Sequence, residues 1–81
     1  MRVTVLCWGH LTDYFGSEGF ELELPEGSQI QNVITLLEQR EPKATRLTRS
    51  CRYALDEEYA PLDTPLQDGC TVAILPPMSG G

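Results

Sequence analysis

The chain has 81 residues, 41% of them hydrophobic, a formal charge of −6 at pH 7 and a pI near 4.5. That length holds one compact domain. The charge argues against nucleic acid and anionic membrane as partners, because both are bound by neutralising phosphates with Lys and Arg, and no apolar run nears the ~20 residues that span a bilayer.

The N-terminus enters a β pattern at Val3-Thr4-Val5 with no apolar leader and cleavage site, so a cytoplasmic chain is expected. Val3 to Trp8 is β-branched and aromatic enough for a strand. His10 to Gly19 reads as a polar, glycine-punctuated turn. Phe20-Glu21-Leu22-Glu23-Leu24 alternates with period two, placing its apolar residues on one face, so residues 2–24 are expected to form a hairpin. After Pro25-Glu26-Gly27, Ser28 and Gln31 have capping-box spacing and predict a helix start. Ile30, Val33, Ile34 and Leu37 then form a single apolar stripe, and Pro42 ends the helix. Its one apolar side should lie across the sheet.

Cys51 to Leu55 predicts a third strand, Asp56-Glu57-Glu58 a turn into Tyr59-Ala60, and Thr64-Pro65-Leu66 a single helical turn. Asp68-Gly69 is a tight turn before a last strand, Thr71 to Leu75. The order is β-β-α-β-β-β. Cys7, Cys51 and Cys70 are odd in number and form no C-x-x-C pair, which argues against disulfides or a metal site and for packing in a reducing compartment. Five of the six basic residues, Arg40, Lys43, Arg46, Arg49 and Arg52, fall in one stretch, whereas residues 53–81 carry five acids and no basic side chain. The C-terminal end is therefore expected in a negative field, whose acids either solubilise the surface or attract a basic partner.

Residues 1–75 thus read as the domain and residues 76–81 as a C-terminal tail. Pro76 and Pro77 cannot donate to a sheet ladder, so pairing should end at Leu75 and the chain should leave extended. Six extended residues, Pro76, Pro77, Met78, Ser79, Gly80 and Gly81, reach roughly 20 Å, enough to thread another protein's cleft. The last two lack Cβ atoms, which suits a narrow channel. The chemistry this fits is activation of the Gly81 carboxylate: attack on the α-phosphorus of ATP gives an acyl-adenylate, and a sulfur donor displaces AMP to leave a thiocarboxylate. With Val3, Val5 and Cys7 facing inward, Trp8 and Leu75 face outward.

The ending Leu75-Pro76-Pro77-Met78-Ser79-Gly80-Gly81 and the stretch Pro65 to Ala73, with its Pro-Leu and Asp-Gly pairs before the final strand, resemble the MoaD family of ubiquitin-like β-grasp sulfur carriers, the small subunits of molybdopterin synthase. The likeness covers the whole chain, with Leu11 to Gly16 matching the loop after the first strand. It implies an α+β β-grasp fold, a mixed sheet packed on one main helix with a flexible C-terminal tail. It also implies that Gly81 is adenylated by a ubiquitin-activating-type adenylyltransferase that uses ATP, is thiocarboxylated through a sulfur-donor system, and gives its sulfur to cyclic pyranopterin monophosphate to build the molybdopterin dithiolene of the molybdenum cofactor. The chain would be a non-catalytic subunit with no tightly bound cofactor, paired with a large subunit in a heterotetramer. Trp8, Tyr59 and Leu75 would form an apolar partner-binding patch at the tail's root. The alternatives are a thiamine-thiazole-type sulfur carrier and a ubiquitin-like modifier joining Gly81 to lysines.

Overall fold

The computed structural model describes residues 1–77. Met78, Ser79, Gly80 and Gly81, which the sequence assigns to the far end of the tail, lie outside the described residues.

Strand β1 (Arg2–Cys7) buries Val3, Val5 and Cys7 and pairs antiparallel with β2 (Phe20–Glu23), Val3 lying opposite Leu22. The expected hairpin is present, but its connection is not merely a polar turn. A 3-10 turn at Gly9–Leu11 runs into helix α1 (Thr12–Phe15), anchored by buried Leu11 and by Phe15, whose ring lies 6.2 Å from that of Phe20. Apolar groups inside a polar stretch supply the packing that a short helix cannot find in propensity alone.

Helix α2 (Ile30–Arg40) buries the predicted stripe of Ile30, Val33, Ile34 and Leu37. Burying such side chains stabilises by about 1.5–3 kcal/mol each. Its start differs from the sequence expectation. Ser28 Oγ donates to the Pro25 carbonyl at 2.8 Å, and the N-cap is Gln29, whose N–H donates to Asn32 Oδ1 at 2.7 Å. The first helical donors go elsewhere: Ile30 N–H reaches the Thr64 carbonyl at 3.1 Å and Gln31 N–H the Leu62 carbonyl at 2.9 Å. The 62–66 segment therefore serves as a cap built from another part of the chain. Pro65 accordingly forms an antiparallel bridge with Gln29 rather than sitting in the expected helical turn.

Pro42 ends α2 but starts a further 3-10 turn (Pro42–Ala44), which continues into α3 (Thr45–Arg49). Ala44 and Thr48 are buried four residues apart, and the Thr48 hydroxyl lies 2.9 Å from both the Thr45 carbonyl and Glu38 Oε2. Strands β3 (Arg52–Leu55) and β4 (Glu58–Tyr59) form a tight hairpin through Asp56 and Glu57, and β5 (Thr71–Leu75) closes the fold. The sheet order is β2-β1-β5-β3-β4. β1 and β5 pair in parallel at the centre, Val5 opposite Val72 and Cys7 opposite Ile74, and the remaining pairs are antiparallel. A parallel pair requires a long crossover, which the intervening α2, α3 and β3–β4 provide. The result is the expected mixed sheet packed on one main helix, with the core between α2 and the inner sheet face.

An apolar groove at the root of the tail

The sheet's outer face holds the candidate site. Along β5 the outward side chains are Thr71, Ala73 and Leu75, and register sets Ala73 beside Leu6 on β1 and Ala54 on β3. Small residues along the middle, with Leu6 and Trp8 on one side and Tyr59 on the other, leave a trough open to solvent. Trp8 is 45% exposed and Tyr59 70% exposed, while Leu75 is half-buried between them. Aromatic rings at that exposure on one face are unusual for a chain that has no other use for them.

Charge is graded along the trough. Asp56 and Glu57 line its end beside Thr71, where the β3–β4 turn is clasped to β5: Thr71 N–H donates to Asp56 Oδ1 at 2.9 Å and Asp56 N–H to the Thr71 carbonyl at 2.9 Å. At the other end the chain leaves Leu75 into a second cleft lined by Trp8, Ser50, Arg52, Tyr59, Leu75, Pro76 and Pro77. Arg52 lies opposite Leu75 in the ladder, and its guanidinium is 5.6 Å from the Tyr59 ring centroid, within range of a cation–π contact. The charged side chain lining the cleft at Pro76 and Pro77 is the cation Arg52, because antiparallel pairing returns the last basic residue of the central stretch to the end of β5.

The structure thus brings Trp8, Tyr59, Leu75, Pro76 and Pro77 together around one groove, as the strand phase requires, while Gly80 and Gly81 lie outside the described residues. The sequence places Arg52 in the basic stretch and in the third strand, and its position opposite Leu75 follows only from the pairing of β3 with β5. Among the described residues, no His, Cys or Lys lines the groove. His10, on the 3-10 turn after Trp8, is exposed, with Asp13 3.9 Å from its Nδ1. Cys7 and Cys70 are buried, and burial, with the neighbouring Cys51 adding to it, pushes the Cys7 thiol up to about 11, which leaves it protonated at neutral pH. Cys51 is half-buried, its thiol also raised by burial, with Sγ 3.0 Å from the Leu47 carbonyl. Among the described residues no group of three or more His, Cys, Asp or Glu is placed to hold a metal ion, and no helix is long and apolar enough to cross a membrane.

A five-stranded mixed sheet on one main helix, with an open apolar groove where its central last strand ends, defines a small ubiquitin-like β-grasp protein. The ThiS family model matches residues 5–81, and the chain belongs to that family. It is 31% identical over 83 residues to the molybdopterin synthase sulfur carrier subunit of Chlamydomonas reinhardtii, with both chains covered in full. Among solved structures, it resembles a chain of the complex of subunits 1 and 2 of molybdopterin-converting factor from Helicobacter pylori 26695 at 27% identity, TM-score 0.74 and full coverage of both. The small archaeal modifier protein 1 of Haloferax volcanii shares the fold at TM-score 0.82 and 15% identity, covering 95% of this chain and 98% of that one.

Proposed function

We propose that this chain is the sulfur-carrier small subunit of a molybdopterin synthase, a cytoplasmic protein with domain 1–75 and tail 76–81 that acts through Gly81. The observation that carries the reading is where β5 ends: at Leu75, on the rim of an open apolar groove, immediately before the Pro-Pro of a sequence that finishes in Gly80-Gly81. Full-length likeness to the algal sulfur carrier subunit supports it, and likeness to a chain of the two-subunit Helicobacter complex supports a large-subunit partner.

The groove is the docking surface, with Trp8, Tyr59 and Leu75 as its apolar anchors. While it is engaged, Pro76, Pro77, Met78, Ser79 and Gly80 thread the partner's channel and bring the terminal carboxylate to the reacting atoms. On the activating adenylyltransferase, a carboxylate oxygen attacks the α-phosphorus of ATP; pyrophosphate leaves, and Gly81 becomes an acyl-adenylate. A sulfide-equivalent donor then attacks the acyl carbon, a C–S bond forms, the C–O bond to AMP breaks, and Gly81 is left as a thiocarboxylate. In the large subunit that sulfur forms a C–S bond to cyclic pyranopterin monophosphate, and water then cleaves its bond to the Gly81 acyl carbon, leaving the sulfur on the pterin and Gly81 as a carboxylate. A dithiolene carries two sulfurs and each tail brings one, so two charged carriers are used per product. The acid–base and phosphate-binding groups are assigned to the large subunit; among the described residues the groove offers apolar surface, Arg52 and, at its far end, Asp56 and Glu57.

Combining thiocarboxylated chain with purified large subunit and the pterin precursor tests the assignment. Dithiolene formation in the ratio of one product per two carriers is expected, and absence of any dithiolene with a fully thiocarboxylated chain rejects it.

A further inference from the structure

Gly9 sits at the end of β1 with φ +63°, and a Cβ built on it would lie 3.0 Å from Pro76 Cγ and 3.4 Å from Pro76 Cβ. Ordinary carbon contacts are about 3.5–4.0 Å. The missing side chain is therefore a slot that the Pro76 ring occupies. Gly19 (φ +83°) is likewise crowded, by Leu6 Cδ2 at 2.6 Å and the Val5 carbonyl at 3.3 Å, but its neighbours belong to β1 and not to the tail; Gly16, Gly27 and Gly69 also have positive φ, and nothing lies within 4 Å of their built Cβ positions. Their glycines answer to backbone conformation alone, whereas Gly9 answers to the tail as well.

We propose that Gly9 is a positioning residue for the tail: by seating the Pro76 ring it fixes the direction in which the chain leaves the groove and hence where the Gly81 carboxylate arrives in a docked partner. This deepens the carrier reading above and rests on it. Pro76 is half-buried and Pro77 exposed, so of these two described tail residues the slot holds the one more deeply set in the domain body. From there Pro77 carries the direction outward, because each proline has a fixed φ and consecutive prolines form a semi-rigid extended rod. Gly81 is five residues beyond Pro76. The direction set at the slot therefore bears on where the reacting end arrives, and there a displacement of about 1 Å can cost a hundredfold in rate. Trp8, next to Gly9 in the chain, and the Arg52–Tyr59 stack line the same cleft as Pro76.

A double-mutant cycle of Gly9→Ala and Pro76→Ala tests this, read as ATP–pyrophosphate exchange with the activating adenylyltransferase. Backbone strain from alanine at positive φ is present in both backgrounds and cancels, leaving the contact with the ring. We expect G9A to lower kcat about tenfold in the natural background with little change in KM, since the groove still docks, and to lower it no more than about twofold in the P76A background. Equal losses in both backgrounds, or no loss in either, would overturn the proposal. If the unaltered chain supports no exchange at all, the carrier reading fails instead; the slot is then judged by nuclear Overhauser contacts between the Gly9 Hα protons and the Pro76 ring, whose absence overturns it and whose presence upholds the seating.

Discussion

The Arg52 guanidinium lies over the exposed Tyr59 ring, 5.6 Å from its centroid, on the face of the sheet opposite the helix. Both side chains reach out from neighbouring antiparallel strands, and neither belongs to the core. Their pairing covers one wall of the cleft through which the chain departs, so the stack serves the groove more than the fold.

Truncating the groove should therefore separate binding from stability. Trp8→Ala and Tyr59→Ala remove exposed rings and are expected to cost about 1 kcal/mol of folding free energy or less, whereas Leu37→Ala, from the fully buried stripe of α2, should cost about 2–5 kcal/mol. Affinity for the partner should fall tenfold or more for the two groove variants, as for hot-spot aromatics. Urea denaturation and titration calorimetry with the large subunit read the two quantities. Loss of several kcal/mol of stability in Trp8→Ala would mean that the ring is core and the groove is misassigned.

The β3–β4 turn offers a gain of stability. Asp56 and Glu57 adopt φ of +48° and +74°, left-handed values at both central positions of a two-residue hairpin turn. Asp56 is tied to Thr71 by the reciprocal hydrogen bonds, but among the described residues Glu57 has no such return for a conformation that disfavours side chains. Glu57→Gly is expected to stabilise the protein by about 1 kcal/mol, visible as a higher urea midpoint with an unchanged m-value. A lower midpoint would contradict this account of the turn.

Much of this architecture could be read from the residues, and the gaps have physical causes. The α2 stripe and the β1, β2 and β5 alternation were legible because each element buries one face, and the same phase put Trp8 and Leu75 outside. Helix α3 was missed because its charged residues masked the Ala44 and Thr48 spacing, which buries only small side chains. The cap of α2 lies one residue later than the Ser28–Gln31 spacing suggests, with the box formed by Gln29 and Asn32, and the Ile30 and Gln31 donors are satisfied by carbonyls over thirty residues away, which leave no local pattern. Arg52 at the tail root and the Gly9 slot depend on which strands become neighbours. Pairing is a tertiary outcome that local propensity does not encode.

Alkaline pH should destabilise the fold before it alters the tail. Burial first, then the neighbouring Cys51 and Glu38, pushes the Tyr53 hydroxyl up to about 12 from 10, and Cys7 rises to about 11 from 9. Both groups are neutral when protonated, and the folded state holds those protons more tightly than the unfolded chain. The stability they contribute is fully present below about pH 9 and is lost as pH rises through about 11 for Cys7 and about 12 for Tyr53. A two-unit shift corresponds to about 2–3 kcal/mol. Denaturation midpoints should be flat from pH 7 to about 9 and fall above it. Cys7→Ser should remove the earlier part of that fall, and an unchanged profile in that variant would show that another group controls it.

The central claim is that Gly81 is a replaceable sulfur-bearing end delivered into other proteins. Intact-mass measurement after incubation with an activating adenylyltransferase, ATP and a sulfur donor tests it most directly. The account predicts a mass gain equal to exchange of one oxygen for sulfur, confined to the C-terminal residue and abolished by deleting Gly81 in a chain that still unfolds at the natural temperature. Adducts joining Gly81 to protein lysines without that exchange, or a Gly81 deletion that no longer folds, would contradict it.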